Sequence, residues 1–324
     1  MQKSIVNHLF TILNESSLLI EESENVTFLE ALCLTGENIL EDTVKQKQLK
    51  DKLLPLYEAY FQEGMTAEDS RRAYQLATLK GMKSGTQTTH QMTPDSLVLF
   101  LGYLVSKLIS TSSVSILDPA VGTGNLLTGV MNQLHLDSLK ASGIEIDDLL
   151  VKLAYTNANL QQKDIQFYHQ DALKPLYIDP VDVTICDVPV GVYPDELVSQ
   201  TFELGNINEK SFSHYMFIEQ GLNYTKPAGY LVYMVPNDLF KQDKDHVFHQ
   251  FIKKNAVILG LLQLPSELFS DPKHEKSILI MQKLDDSIEP PKEMLLVQLP
   301  SFSKKEQMAG MIAKINHWFD EHLS

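Results

Sequence analysis

The chain has 324 residues, 44% hydrophobic and 21% charged, the usage of a globular protein rather than of a disordered, collagenous or coiled-coil one. At roughly 100–200 residues per domain the length suggests two domains, or one α/β domain with an appendage. Forty-two acidic against 27 basic residues give a net charge of −15, and Arg71 and Arg72 are the only arginines, which argues against gripping duplex DNA alone, because phosphates need cations and guanine is read by arginine forks.

From Met1 to about Gly81 apolar residues recur at three- and four-residue spacing, as in Ile5, Leu9 and Leu13 and again in Leu53, Leu54, Tyr57, Tyr60 and Phe61, which predicts helices. His8, Asn14 and Glu15 interrupt the first apolar residues, so no secretory leader is expected. The polar run Lys83–His90 reads as a linker, which divides the chain into a helical region, 1–81, and a second domain, 82–324. Thr93 suits an N-cap and Pro94 the first position of a helix with its body at 97–109. The apolar stretch Leu97–Val105 is about half of the ~20 residues that a membrane span needs, so no membrane partner is expected.

Beyond this helix, short β-branched runs alternate with helical stretches. Strands are predicted at Ser113–Asp118, Ala141–Ile146, Ile165–His169, Val181–Asp187, Gly229–Val235, Val257–Leu264 and Ser277–Gln282. Helices between them fall near Asn125–His135, Asp147–Gln161, Ser213–Lys226 and Asp243–Lys254. The alternation implies parallel βαβ units in a doubly wound, Rossmann-like α/β sheet covered on both faces. One more strand-like run, Met294–Leu299, follows Pro290-Pro291, and an amphipathic helix near Lys304–His322 carries the single tryptophan, Trp318.

Two cysteines, Cys33 and Cys186, are too few for a disulfide framework or a four-ligand zinc site, and a reduced, cytoplasmic location is the default. The histidines show no metal spacing. His246 and His249 read as a surface pair without an acidic partner, so no metal is expected.

Strand Val114–Leu117 runs into Asp118-Pro119-Ala120-Val121-Gly122-Thr123-Gly124-Asn125. Ligands of open α/β sheets bind beyond the carboxyl ends of strands, and Gly122 and Gly124 permit a tight turn and close backbone approach. Leu127 stands where G-x-G-x-x-G has its third glycine, and Asp118 precedes the glycines, which disfavours a nicotinamide dehydrogenase. A strand-end carboxylate suits the ammonium of an amino acid moiety. Glu145 lies 21 residues after Gly124, the spacing at which an acid meets a ribose hydroxyl pair. Asp171 closes the third strand, where it could accept from an adenine amino group. Singly each acid reads as a solvated loop carboxylate. Three at successive strand ends make a nucleoside site with an amino acid tail, which means S-adenosylmethionine rather than NAD.

The fourth strand leads into Asp187-Val188-Pro189-Val190-Gly191-Val192-Tyr193. With Gln91-Met92-Thr93-Pro94, the Asp118–Asn125 loop, Glu145, Asp171-Ala172, Phe217-Ile218-Glu219, Lys226-Pro227-Ala228-Gly229, Val235-Pro236-Asn237, Leu264-Pro265 and Leu268-Phe269, it forms an ordered series over roughly 81–284. In this the chain resembles the N6-adenine DNA methyltransferases, most closely the modification subunits of type I restriction systems and their small stand-alone relatives. The resemblance implies a seven-stranded methyltransferase sheet. It implies cofactor contacts from Met92, Thr93, Asp118, Ala120, Gly122, Gly124, Asn125, Leu126, Glu145, Ile146, Asp171, Ala172 and Asp187, and an acceptor site at Asp187, Val188, Pro189, Val190 and Tyr193.

The family's fourth-strand motif is Asp/Asn-Pro-Pro-aromatic. Its carboxylate or amide and the next carbonyl accept the two N–H bonds of an amine and align the lone pair with the sulfonium methyl, while the aromatic stacks on a flipped base. By resemblance Asp187 accepts one N–H and the Val188 carbonyl the other. Val188 replaces the first proline without losing that carbonyl. Val190 replaces the aromatic and forfeits a stack worth ~1–3 kcal/mol per base, with Tyr193 three residues on as a conjectural substitute ring. Met92 stands where relatives often carry an aromatic, and its sulfur can pack on adenine. Cys186 follows Ile185 rather than proline and reads as a buried strand-end cysteine.

The implied function is methyl transfer from S-adenosylmethionine to an amino nitrogen, adenine N6 in DNA. No long segment after the motif reads as a target-recognition domain, so a specificity subunit is the expected partner. Two alternatives stay open: a cofactor-binding protein without catalysis, and a methyltransferase of RNA or protein.

Overall fold

The computed structural model describes residues 5–61, 64–84, 92–207 and 209–323. Residues 85–90 of the linker and Gln91 of the first motif lie outside them. Four helices come first: α1 (Ile5–Glu24), α2 (Phe28–Leu40), α3 (Lys50–Glu58) and α4 (Ala67–Ser84). Then follow α5 (Asp95–Leu108), β1 (Ser113–Asp118), α6 (Asn125–Met131), β2 (Ser138–Glu145), α7 (Asp148–Leu160), β3 (Ile165–His169) and β4 (Val181–Asp187). After β4 come α8 (Glu196–Ser199), α9 (Ser213–Asn223), β5 (Thr225–Pro236), α10 (Leu239–Gln242), α11 (Val247–Asn255) and β6 (Ala256–Gln263). The described chain ends with β7 (Lys276–Lys283), β8 (Leu295–Gln298) and α12 (Lys305–His322).

The strands form one eight-stranded sheet in the order β3-β2-β1-β4-β5-β7-β6-β8. Strands β1, β4 and β5 pair in parallel, with Ile116 opposite Val183 and Ile185 opposite Val232. β7 departs from the all-parallel expectation and runs antiparallel to both β5 and β6. The chain between β6 and β7 holds two 3-10 turns and no crossover helix, which parallel neighbours require. The run predicted after Pro290-Pro291 is β8, which pairs parallel to β6 and extends the sheet from seven strands to eight.

β1, β3 and β4 have their predicted bounds. The entry to α5 differs: Pro94 is the N-cap, with extended ψ of 144°, no side chain caps the helix, and Thr93 is not its cap. α6 stops at Met131 instead of reaching His135, because Gln133 and Leu134 donate to carbonyls three residues back and tighten the chain.

The chain divides into two compact units. One comprises Met1–Thr93, Val121–His135 and Ser142–His169. Here Leu9, Leu13 and Ile20 of α1, Leu32 of α2 and Tyr74 of α4 share a buried cluster with Leu150, Leu153 and Leu160 of α7. A capping box between Thr27 and Glu30 starts α2. A Cβ on Gly36 of α2 would come within 2.0 Å of a Thr156 methyl, so glycine is what lets α2 lie against α7. The first four helices therefore share their core with a helix of the βα segment.

The other unit comprises Pro94–Ala120, Leu136–Ala141 and Gln170–Ser324. Its sheet core is built from Val183, Ile185, Leu231, Val232 and Ile278–Met281, all buried. α12 and the turn before it pack on α5: Tyr103 donates to Asn316 Oδ1 (2.9 Å), and the Phe100 ring meets that of Phe302 in the turn at 5.7 Å. Among the described residues no helix is long and apolar enough to cross a membrane.

Candidate functional site

In the first unit the glycine loop is held from several sides. Gly122 and Gly124 have φ of +54° and +74°, and a Cβ on Gly124 would lie 3.2 Å from the Ala154 backbone, so both the turn and its contact with α7 call for glycine. Val121 donates to the Ile144 carbonyl (2.9 Å). The Glu145 carboxylate accepts three backbone N–H groups, from Gly122, Ile146 and Asp147, each at 2.9 Å. Asn157 of α7 donates to the Thr123 carbonyl (3.2 Å). Asn125, the first residue of α6, donates to the Thr93 carbonyl (3.1 Å) and accepts from Arg71 Nη1 (2.7 Å). Thr93, Asn125 and Leu126 are buried, Met92 is half-buried, and Ile146 exposes an apolar side chain.

In the second unit, Asp118 at the end of β1 is 1% exposed and accepts from the Ala120 amide (3.1 Å). Asp171 accepts from the Leu173 amide (2.9 Å) and from the Tyr193 hydroxyl. Burial and that carboxylate push the Tyr193 hydroxyl well above its ordinary range, so it donates as a neutral phenol. Tyr193 is thus committed to Asp171. Ala172 is buried and its carbonyl accepts from Gln220 Nε2 (2.5 Å).

Asp187, at the end of β4, is paired with Lys276, the first residue of β7. The Val188 side chain is buried and its amide bonds the Met234 carbonyl (3.2 Å), whereas Pro189 and Val190 are exposed, Val190 by 57%. Cys186 is fully buried, and burial together with Asp118 and Asp187 holds its thiol far above the ordinary range; it is no nucleophile. His214 of α9 is also buried, and neither ring nitrogen has a hydrogen-bond partner among the described residues. Burial depresses its pKa to about 4, with Asp238 opposing and Lys276 reinforcing the shift.

Sequence reasoning missed Lys276 and Arg71, since neither stands in a motif; Lys276 is 89 positions from the acid it meets. It also missed the acidic neighbour of His246 and His249. The ligand atoms of these histidines and of Asp243 lie within 4.8 Å of one another. Both Asp243 oxygens, however, accept backbone N–H groups of the first turn of α11, from Phe248 (3.1 Å) and His249 (2.9 Å), which explains its place without a metal.

A family model for the YtxK N-terminal helical domain matches residues 7–82, and one for N-6 DNA methylases matches residues 75–322. The uncharacterized protein YtxK of Bacillus subtilis is 43% identical over 325 residues, which cover 98% of this chain and 99% of that protein. A crystal structure from Listeria monocytogenes, described as a class I S-adenosylmethionine-dependent methyltransferase, is 44% identical. It matches with a TM-score of 0.91 over 97% of this chain and 99% of that one. A type I restriction-modification methyltransferase subunit from Streptococcus thermophilus shares the fold at 13% identity, with a TM-score of 0.67 over 95% of this chain and 74% of that one. Family and neighbours support S-adenosylmethionine-dependent methylation in general. The chain belongs to the N-6 DNA methylase family, with a YtxK-type helical domain at its start.

Proposed function

We propose that the chain transfers a methyl group from S-adenosylmethionine to an amino nitrogen, with adenine N6 of DNA as acceptor and a specificity subunit as partner. The carrying observation is at Asp187. Where the family places its acceptor amine, this carboxylate already accepts a hydrogen bond from an amine nitrogen, that of Lys276. The division into a helical region, 1–81, and a methyltransferase domain, 82–324, belongs to the same reading.

The residues fit the cofactor. A Cβ on Gly122 would meet no heavy atom within 4 Å, so the loop backbone faces open space. Glu145 has about four acceptor sites for three amides, which leaves capacity for a ribose hydroxyl. In this reading Asp118 takes the ammonium, Asp171 takes the adenine amino group with Tyr193 fixing its carboxylate, and Met92 and Ile146 pack on the purine. When bound, S-adenosylmethionine supplies an electrophilic methyl on a sulfonium. Asp187 accepts one N–H of the acceptor amine in place of Lys276, and the Val188 carbonyl accepts the other. The proton released after attack leaves through the Asp187 carboxylate, whose side chain is 26% exposed.

The need for a partner on DNA gains support from Arg71. One of the chain's two arginines is fully buried and bonded to Glu68 and Asn125, so it cannot fork onto a base. A second reading, cofactor binding without catalysis, is favoured by the Lys276 ion pair and by exposed Val190 in place of an aromatic. Titration with S-adenosylhomocysteine and NAD, followed by tritiated-methyl transfer to DNA, RNA and cell extract, separates the readings. Label in DNA adenine supports the proposal, and label in RNA or protein moves the acceptor. Binding without any transfer supports the second reading, and tighter binding of NAD ends both.

A further inference from the structure

Arg71 is a fully buried guanidinium on α4, inside the YtxK-type helical region. A buried cation persists only when paired and hydrogen-bonded. Its partners divide in two directions. Nε and Nη2 grip both oxygens of Glu68, one turn back on the same helix, at 2.8 and 2.6 Å. Nη1 reaches across to Asn125 Oδ1 at 2.7 Å. Glu68 in turn accepts from Asn132, the C-cap of α6, at 3.2 Å. The Glu68–Arg71 pair therefore holds α6 at both ends. Asn125 follows directly on Gly124, and its amide nitrogen spans the rest of the bracket to the Thr93 carbonyl. A short helix has little stability of its own, and α6 has seven residues. The position of the glycine loop at its start is set by what grips it.

We propose that Arg71 is a positioning residue for the cofactor loop: by fixing α6 through Asn125 and Glu68, the helical domain sets how tightly the chain binds S-adenosylmethionine. This rests on the reading of residues 118–125 as the cofactor loop. It gives the helical domain a task in the reaction besides burying apolar surface.

The test uses the full chain with S-adenosylhomocysteine as probe. Affinity is measured by calorimetry, unfolding by urea, and amide hydrogen exchange is followed at 122–126. Arg71→Gln is expected to weaken binding about tenfold, the scale of one charged hydrogen bond, and to speed exchange at 122–126 more than in α1. Asn125→Ala should weaken binding as much, and the double variant no more than either single one. Leu53→Ala, a cavity on α3 in the helical core and outside this hydrogen-bond network, is the control for general destabilisation. It should lower the unfolding midpoint and leave affinity unchanged. Should Arg71→Gln fail to fold, Glu68→Gln removes the ion pair from the less buried side. Wild-type affinity in the Arg71 or Glu68 variant, additive losses, or an equal loss in Leu53→Ala overturns the proposal. A wild-type chain that binds no S-adenosylhomocysteine overturns the cofactor reading, and the exchange rates then report separately whether Arg71 holds the loop.

Discussion

The proposed function places the chemistry at the glycine loop and the fourth-strand end, and the chain holds the two differently. At the loop, side chains meet the backbone: Glu145 accepts from three amides, Asn157 donates to the Thr123 carbonyl, and Asn125 donates to the Thr93 carbonyl while accepting from Arg71. At the fourth-strand end the chemistry sits on side chains. Asp187 is met by a lysine, His214 is buried with both nitrogens unpartnered among the described residues, and Val190 lies exposed. Backbone-held groups cost little reorganisation when a ligand arrives, whereas side-chain pairs must exchange partners. On the proposed function, a fixed cofactor loop and an adjustable acceptor end are what a protein needs if its acceptor is delivered by a partner.

The largest break between the two is Asp187→Ala. Methyl transfer is expected to fall about 10²–10³-fold, the effect of removing one preorganised polar partner, with affinity for S-adenosylhomocysteine nearly unchanged. Single-turnover transfer and calorimetry on the same preparation measure both. A matching loss of cofactor affinity would mean that the two regions are not separable.

His214 sharpens the contrast through pH. Its folded pKa of about 4 lies below the ordinary histidine value of 6.5, so the unfolded chain binds the proton first as pH falls. The neutral buried ring therefore contributes fully above pH 6.5, and stability is lost as pH drops towards 4, by about 3 kcal/mol in all. Asp238 raises this pKa and Lys276 lowers it, while the flanking Phe212 and Tyr215 rings bring no charge at these pH values. His214→Gln should flatten this acid limb in urea unfolding between pH 7 and 4.5. A wild-type limb that is already flat would show that the ring finds a partner on protonation.

Glu145→Gln probes the cofactor platform from the other side. The Gln oxygen can keep the amides of Ile146 and Asp147 as neutral bonds, but its NH2 cannot accept from Gly122 and that bond is lost, so affinity for S-adenosylhomocysteine is expected to fall roughly tenfold to thirtyfold, with kcat at saturating cofactor little changed. An equal drop in kcat would tie the loop to the chemical step itself.

The two regions were unequally legible in the sequence. β1, β3 and β4 stood out because their apolar, β-branched runs end sharply in Asp or His, and the glycine pair with Asp118 marks the loop without tertiary knowledge. Thr93 misled because its local chemistry is that of a cap, while the fold commits its carbonyl to Asn125 and leaves Pro94 extended. The helical spacing of Glu68 and Arg71 marks an i,i+3 pair but not what it holds, and Lys276 has no spacing signal at all: the contacts that matter to the proposal lie 54 and 89 positions away. Side-chain pairs of that kind are created by topology, which periodicity does not encode.

Lys276→Met carries the smallest expected effect and asks the sharpest question of the acceptor end. The pair is part-exposed, 21% and 26% by side chain, so its loss should change stability by no more than ~1 kcal/mol. If the ammonium occupies the place of the incoming amine, removing it ends a competition: KM for the acceptor falls a few-fold and kcat holds. Lys276→Arg, which keeps a donor there, should not lower KM. If Lys276 instead orients the carboxylate, kcat falls in Lys276→Met while KM holds. Asp187 would then be as firmly placed as Glu145, and the contrast between a fixed and an adjustable region would be lost.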